Sequence, residues 1–351
     1  MICFYHSTDA DGWCSAKLVY DYYKSKGGYL LTRDNFIGMN YSNPIDFSII
    51  RDGEDVWIVD YSLSKDEDKF NLNELARKGK NNIYWIDHHT DSIDIDFEKY
   101  PYLTDNYIKG VRHINEHLSA AKLVYLYTQD LINNTNNIHD IISKYENADY
   151  DEIEDLDESI PLSILYVSDH DTFLHRFEYS IPFQSSIRYY LFNIDRDVID
   201  YDILTTDDEE LLDEYLDIGI VLENNNRMNN KQIAKNKSFT AYIDKYRCLA
   251  INTTGNSLIF RDYELKNYSS ALILFHFNGK QWVYSLFNPG DDCLVTPIDC
   301  GKVARLLGGG GRPQAAGFSS DNLLIVKREG EICHRLELPV PEGSVNLELE
   351  E

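Results

Sequence analysis

Three apolar runs near the N-terminus each stop at side chains that a hydrophobic core does not accept. Ile2–His6 continues into Ser7-Thr8-Asp9-Ala10-Asp11-Gly12. Residues 56–60 read Val-Trp-Ile-Val-Asp, and residues 83–89 read Ile-Tyr-Trp-Ile-Asp-His-His. Runs rich in β-branched and aromatic residues, with no alternating polar face, read as strands of a parallel sheet covered on both sides. In an open α/β sheet the residues just past the strand C-termini line the ligand crevice. The pattern therefore predicts an α/β fold with His6, Asp9, Asp11, Asp60, Asp87, His88 and His89 gathered in one crevice.

Carboxylates and imidazoles without paired cysteines are the ligand set of a hard-to-borderline divalent ion. Phosphoester hydrolysis has a use for so dense a set. A water must lose a proton near neutral pH while charge builds on the attacking and leaving oxygens, and two ions about 3.5–4 Å apart serve both needs. Asp9 and Asp11 can face two different ions. A fourth apolar run, residues 162–168, leads into Asp169, read as the last member of the set at another strand end. Asp171 is its rival. Singly each piece has an ordinary explanation, since an Asp after a strand commonly caps the next helix. Together they predict a two-metal phosphoesterase.

The chain has 351 residues, which suits two domains. Its 43% hydrophobic and 13% aromatic residues suffice for packed cores. A formal charge of −26 opposes the neutralisation of many phosphates that long nucleic acids require. Any nucleic acid partner is therefore expected to be a short oligonucleotide or dinucleotide, not a long duplex. The acidic stretch 146–158 reads as a solvated loop. No apolar run reaches the length of a membrane span, and residues 1–6 lack the basic flank of a signal peptide. The six cysteines are scattered, with no Cys-x-x-Cys, so they are expected to be reduced thiols in a cytoplasmic protein with no membrane partner.

Helical spacing at 11–23 and 118–127, between the strands, predicts a doubly wound parallel sheet over residues 1–200. Residues 207–237 are polar with apolar positions at helical spacing, and 201–240 is read as a helical linker. Short strands follow at 247–251, 271–277 and 281–287 in a second domain, 241–340, the last two around the hairpin signal Asn278-Gly279. A short helix at 302–307 precedes Gly308-Gly309-Gly310-Gly311-Arg312-Pro313-Gln314. Four successive glycines are read as an irregular loop whose backbone N–H groups a phosphate can approach. Lys302, Arg305 and Arg312 add positive charge beside it, Arg312 being the foremost candidate for gripping substrate. Residues 341–351 are an acidic tail, expected to fray.

In this order the motifs resemble the DHH/DHHA1 phosphoesterase family. Asp87-His88-His89 matches the name-giving triplet, His6-x-x-Asp9-x-Asp11 its first motif, Asp60 its second and Asp169 its fourth. Residues 308–318 resemble the glycine-rich signature of the DHHA1 domain. The resemblance implies an N-terminal DHH domain, a smaller C-terminal α+β DHHA1 domain and an active site in the cleft between them. It implies that His6 and Asp9 bind one metal, that Asp11, His88 and Asp169 bind the other, and that Asp60 bridges. His89 would meet the substrate, as a phosphate ligand or as the acid for the leaving oxygen, and Asp87 would orient an imidazole or sit near the phosphate. Arg312, Gly309, Gly310, Gly311, Gln314 and Arg305 would hold the substrate. The ions implied are two Mn2+, with Mg2+ the alternative. Within the family, the Asp-Ala-Asp-Gly-Trp-Cys-Ser-Ala opening and Tyr284-Ser285-Leu286 look most like nucleases of short oligoribonucleotides. These release nucleoside monophosphates from an end. The alternative is a cyclic or linear dinucleotide phosphodiesterase, or a 3′-phosphoadenosine phosphate phosphatase. Two departures stand out. Arg312 occupies the position of a usual histidine, and Phe287 that of an arginine in some members. Phe287 is read as core filling. Cleavage polarity and oligomeric state stay open.

Overall fold

Four strands, β1 (Ile2–His6), β2 (Phe36–Met39), β3 (Asp55–Val59) and β4 (Asn82–Ile86), form an all-parallel sheet in the order β2-β1-β3-β4. The structure is a computed structural model and describes residues 1–41, 44–193, 201–255, 257–261, 263–290, 293–327 and 333–338. The acidic tail 341–351 lies outside the described residues. The chain divides into two units, Met1–Glu223 and Asn224–Glu351.

Alternation along each strand sends side chains to two covered faces. Cys3, Tyr5, Trp57, Val59, Tyr84 and Ile86 pack with α1 (Ala10–Lys26) and α3 (Ala120–Asn133), and on the other face Ile2, Phe4, Val56, Ile58, Ile83 and Trp85 pack with α2 (Asp66–Lys78). That double cover is why these strands show no polar face in sequence. The chain leaves β1 for β2 on one side and places β3 on the other. The switch point therefore falls at the C-terminal ends of β1 and β3, beside His6 and Asp60.

Among the described residues the first unit also holds α4 (Ile138–Asn147), α5 (Tyr150–Asp157), α6 (Leu162–Asp171) and α7 (Ser180–Asn193). Two expectations are corrected here. The run 162–168 is helical, not a strand. Residues 163–169 are buried all round, so the sequence has no periodicity to tell a buried helix from a buried strand. Stretch 146–158 is not a solvated loop but contains α5. Asp149 caps it in a reciprocal pair with Glu152, and acidic residues in its first turn suit the helix dipole. Asp157, its last residue, is buried. It accepts from Lys122 Nζ at 2.5 Å and from Tyr145 Oη at 3.0 Å.

Residues 209–237 are a single helix, α8 (Glu209–Lys237), which runs across the boundary between the units. Its first half belongs to the first core through Leu212, Tyr215 and Leu216. The second unit is an eight-stranded mixed sheet in the order β11-β12-β5-β6-β7-β8-β10-β9. Its strands are β5 (Phe239–Ile243), β6 (Tyr246–Asn252), β7 (Ala271–Phe277), β8 (Trp282–Phe287), β9 (Gly310–Gly311), β10 (Ala315–Ser320), β11 (Ile325–Val326) and β12 (His334–Leu336). The short α9 (Cys300–Leu306) covers one face through Cys300 and Ala304, and Ala234 of α8 covers the other. Asn278-Gly279 closes the β7–β8 hairpin, with Gly279 at φ +94°. Phe287 packs on the Leu249, Leu272 and Leu274 side of the sheet.

The glycine segment is also corrected: it is not wholly irregular. Gly310–Gly311 pairs as a strand with β10. A Cβ on Gly309 would stand 2.1 Å from the Gly317 carbonyl oxygen, and one on Gly311 2.6 Å from that of Ala315. These two glycines are required by the approach of the chain to its own strand. The fold is thus mixed α/β, a parallel-sheet unit followed by a second sheet unit. Among the described residues, no helix is long and apolar enough to cross a membrane.

Candidate metal centre

His6 ends β1, and α1 begins four residues later. Asp9 is the N-cap of α1, its carboxylate accepting from Gly12 N at 3.1 Å. Gly12 lies so close to the strand that a Cβ there would sit 1.9 Å from the His6 carbonyl oxygen. This tight strand-to-helix turn brings His6 and Asp9 together. Asp11, in the first turn of α1, is buried and reaches the N-terminus of α3, accepting from Ala120 N and Ala121 N at 2.9 Å each. Asp60 follows β3 in the left-handed region, at φ +52°. Asp tolerates that conformation better than most residues, at a cost of roughly 1–2 kcal/mol. Its backbone N–H donates to Ile86 O of β4 at 3.0 Å, which holds the turn beside the strand that presents Asp87, His88 and His89.

Three overlapping groups result: His6, Asp9 and Asp60; Asp11, His88 and Asp171; and Asp60, Asp87, His88 and His89. His6 Nδ1 lies 2.7 Å from Asp9 Oδ2 and 3.5 Å from Asp60 Oδ2. His88 Nε2 lies 3.5 Å from Asp60 Oδ1, 3.6 Å from Asp11 Oδ2 and 3.3 Å from Asp171 Oδ2. One Asp60 oxygen thus faces the His6 group and the other the His88 group. Asp60 is 1% exposed, yet among the described residues neither oxygen has a donor in hydrogen-bonding geometry. A buried carboxylate without donors is costly unless a cation takes their place. Neighbouring donors on an octahedral ion at about 2.1 Å stand about 3.0 Å apart, close to these spacings. The residues fit a pair of divalent ions.

Ring orientation is set by hydrogen bonds. His6 Nε2 meets Thr8 Oγ1 at 2.7 Å, which turns Nδ1 toward the carboxylates. His89 Nδ1 meets Asp87 Oδ1 at 2.7 Å, which fixes the ring at that atom. Asp87 is fully buried and also accepts from His88 N at 2.9 Å and from Ser92 Oγ. It therefore orients His89 from beneath. The role of Ser92 has no signature in the sequence.

The fourth position is a correction. Asp169 does not join the cluster. Its carboxylate accepts from Arg176 N at 2.8 Å and Phe177 N at 3.1 Å, and so pins the chain after α6. Asp171 meets His88 instead. On a helix, residues two apart diverge by about 200°, so only one of the pair can face the site.

The electrostatics have one pattern. Burial, then the Asp9 charge, pushes the Asp60 carboxyl up to about 8. Asp11 is raised well above the usual carboxylate range by burial, then by Asp60 and Asp171. Burial works against a charged His6, but Asp60 and Asp9 overcome it and carry its pKa to about 11. Burial also works against the Asp9 and Asp87 anions, yet His6 and His89 respectively hold them below the usual range. Carboxylates outnumber imidazoles, and the excess is what added cations would neutralise.

The substrate-side candidates belong to the second unit. Arg312 stands in the turn between β9 and β10, its N–H donating to Ala315 O at 2.8 Å. Arg305 is exposed and donates through Nη1 to Gly311 O at 3.3 Å. Gln314 is exposed, and its carbonyl accepts from Asn288 N at 2.8 Å. Lys302 is exposed, with Nζ 3.7 Å from Asp299. These residues gather around β9, β10 and α9 together with Gly309, Gly310 and Gly311.

No protein-family model and no curated protein matches the chain. Solved structures do. The DHH domain of a member of a ribosomal-protein family aligns over 91% of this chain and 82% of its own, at 16% identity and TM-score 0.50. RecJ from Thermus thermophilus, in complex with Mn2+, aligns over 91% of this chain and 49% of its own, at 14% identity and TM-score 0.43. PggH, a pGpG-specific phosphodiesterase from Vibrio cholerae, aligns over 92% and 93%, at 12% identity and TM-score 0.39. At 16% identity the first likeness is one of fold: the chain shares the mixed α/β architecture of a DHH-domain structure, a parallel-sheet unit followed by a second sheet unit.

Proposed function

We propose that this protein is a two-metal phosphodiesterase that hydrolyses short oligoribonucleotides from an end to nucleoside monophosphates. The observation that carries the reading is the Asp60 carboxylate, whose two donor-less oxygens face two separate ligand groups. His6, Asp9 and Asp60 would hold one ion, and Asp11, His88, Asp171 and Asp60 the other. The imidazole and carboxylate donors suit Mn2+, with Mg2+ the alternative. Bound there, such ions lower the pKa of water and neutralise charge on the phosphate.

The protein's own groups supply the rest. Asp87 holds His89 by its Nδ1, so Nε2 can donate to a phosphate oxygen or protonate the leaving oxygen. His89 is 30% exposed at its side chain, enough to meet a substrate. Arg312, Arg305 and Gln314 would grip the rest of the substrate, with the Gly309, Gly310 and Gly311 segment letting it approach the backbone closely. The net charge of −26 favours short substrates over duplexes.

The test is hydrolysis of a 5′-labelled RNA series from dimer to 24-mer with Mn2+, cyclic dinucleotides alongside. Asp87→Ala controls for contaminating nuclease. Conversion of two- to five-mers to mononucleotides, lost in the variant, supports the reading. Cleavage of cyclic dinucleotides alone moves the substrate to a nucleotide signal. No turnover despite bound Mn2+ refutes both.

A further inference from the structure

We propose that Tyr41 is a stacking platform for the nucleobase next to the scissile phosphate, so that the site selects nucleobase-bearing phosphoesters over base-free ones. This rests on the phosphodiesterase reading above and deepens it.

Tyr41 lies just past β2, the strand beside β1, and its ring centroid is 5.4 Å from that of His6. A second phenol ring, that of Tyr61, lies 6.5 Å from the same imidazole. Tyr61 is 1% exposed and fixed, its hydroxyl donating to Asn40 O at 3.2 Å. Tyr41 lies flat upon it, with centroids 4.8 Å apart and planes 12° from parallel. The Tyr41 hydroxyl sits 3.1 Å from Ser62 Oγ and accepts from Ser62 N at 3.5 Å. The ring is therefore held at its far end and along one face, in a residue that is 37% exposed. A rigid aromatic plane that loses no rotamer freedom on binding is what a base-stacking surface needs. Its place beside His6 sets the range. A base resting on this ring has its own phosphate, one ribose away, over the His6, Asp9 and Asp60 group. Stacking has no hydrogen-bond readout, so the platform favours any base and adds nothing to the binding of a phosphoester that carries none.

The probe is the monophosphate of 2-aminopurine riboside, which has no phosphodiester to cut and whose fluorescence falls on stacking. Ribose 5-phosphate is the base-free control, both titrated with Mn2+ present. Tyr41→Leu is expected to weaken the nucleotide by about 5- to 150-fold, the range of base–aromatic stacking, and to abolish the quenching. Tyr41→Phe keeps the plane and is expected to keep both. Ribose 5-phosphate should bind wild type and Tyr41→Leu alike. Equal nucleotide affinity in Tyr41→Leu overturns the proposal. So does an equal loss for ribose 5-phosphate, which would mean damage to the metal group, and so does absence of nucleotide binding to the wild type. The phosphodiesterase reading fails separately: quenching that depends on Tyr41, in a protein that cleaves no phosphodiester, leaves the platform standing and removes the reaction.

Discussion

Asp169→Asn and Asp171→Asn set apart two neighbouring carboxylates that the structure gives different work. Asp169 is 1% exposed and each of its oxygens accepts a backbone N–H, from Arg176 and Phe177. Amidation turns one acceptor into a donor facing an N–H. A hydrogen bond to a charged group is worth about 1.5–3 kcal/mol, and a folding unit of this size loses about 2–4 °C per kcal/mol. A fall of roughly 3–12 °C in melting temperature follows. The Mn2+-induced rise in melting temperature should survive, because Asp169 stands outside the ligand groups.

Asp171→Asn should behave in the opposite way. Its side chain is 27% exposed and meets His88 and Asp11. Removing one of several crowded carboxylates relieves repulsion, so the metal-free melting temperature should hold or rise. Loss of a partner that merely orients a ligand costs about 10–100-fold in metal affinity, and loss of a ligand at least as much. At Mn2+ near 100 times the wild-type Kd, the stabilisation at stake is about 2.7 kcal/mol. Thermal melts with chelator and with Mn2+ read all four quantities. An Asp169→Asn protein that melts like wild type but ignores Mn2+, beside an Asp171→Asn protein that still responds, would refute the assignment.

Three further outcomes are expected. Gly12→Ala sets a Cβ 1.9 Å from the His6 carbonyl oxygen, so α1 or His6 must shift; Mn2+ affinity should fall by calorimetry, and unchanged affinity counts against the tight turn as the organiser of the site. Asp157→Ala leaves Lys122 and Arg176 without their shared carboxylate, which should cost about 3–5 kcal/mol in chemical denaturation; a loss under about 1 kcal/mol is inconsistent with a buried pair. Burial lowers Lys122 from 10.5 to about 8 against the opposing charge of Asp157. Between pH 8 and 10.5 the folded state has shed a proton that the unfolded chain keeps, so stability contributed here rises with pH across that window. Denaturation curves should show wild type gaining on Lys122→Met across that window, and a flat difference would contradict the shift.

The parts of the fold legible in sequence were those whose burial leaves a pattern. β1, β3 and β4 are covered on both faces and read as unbroken apolar runs, and the residues after them fall in the crevice that a parallel sheet dictates. β2 is four residues with a glycine, too short to stand out, and β5 lies between β12 and β6, a pairing that only the finished sheet defines. α5 was hidden by its acidity. Its capping pair, Asp149 and Glu152, is the one local signal of a helix start in that stretch.

The choice between Asp169 and Asp171 could not be made from the chain alone, and the reason is geometric. On a strand, residues two apart share a face, so both carboxylates would point into the crevice and the first after the apolar run is the natural ligand. On a helix they point to opposite sides. The helix gives Asp169 to the backbone of the following turn and Asp171 to His88, and secondary structure thus decides chemistry. The same dependence governs the glycine segment. Four glycines have little preference of their own, and what orders two of them is the approach of β10, with carbonyl oxygens at distances no Cβ survives. Their sequence signature is that of a loop open to a phosphate, but Gly309 and Gly311 are already needed by the sheet. Of the four, Gly310 has nothing within 4 Å of a would-be Cβ and φ outside the left-handed region. Gly310→Ala is therefore the substitution that asks whether this segment meets a substrate, since a loss of activity there has no packing cause.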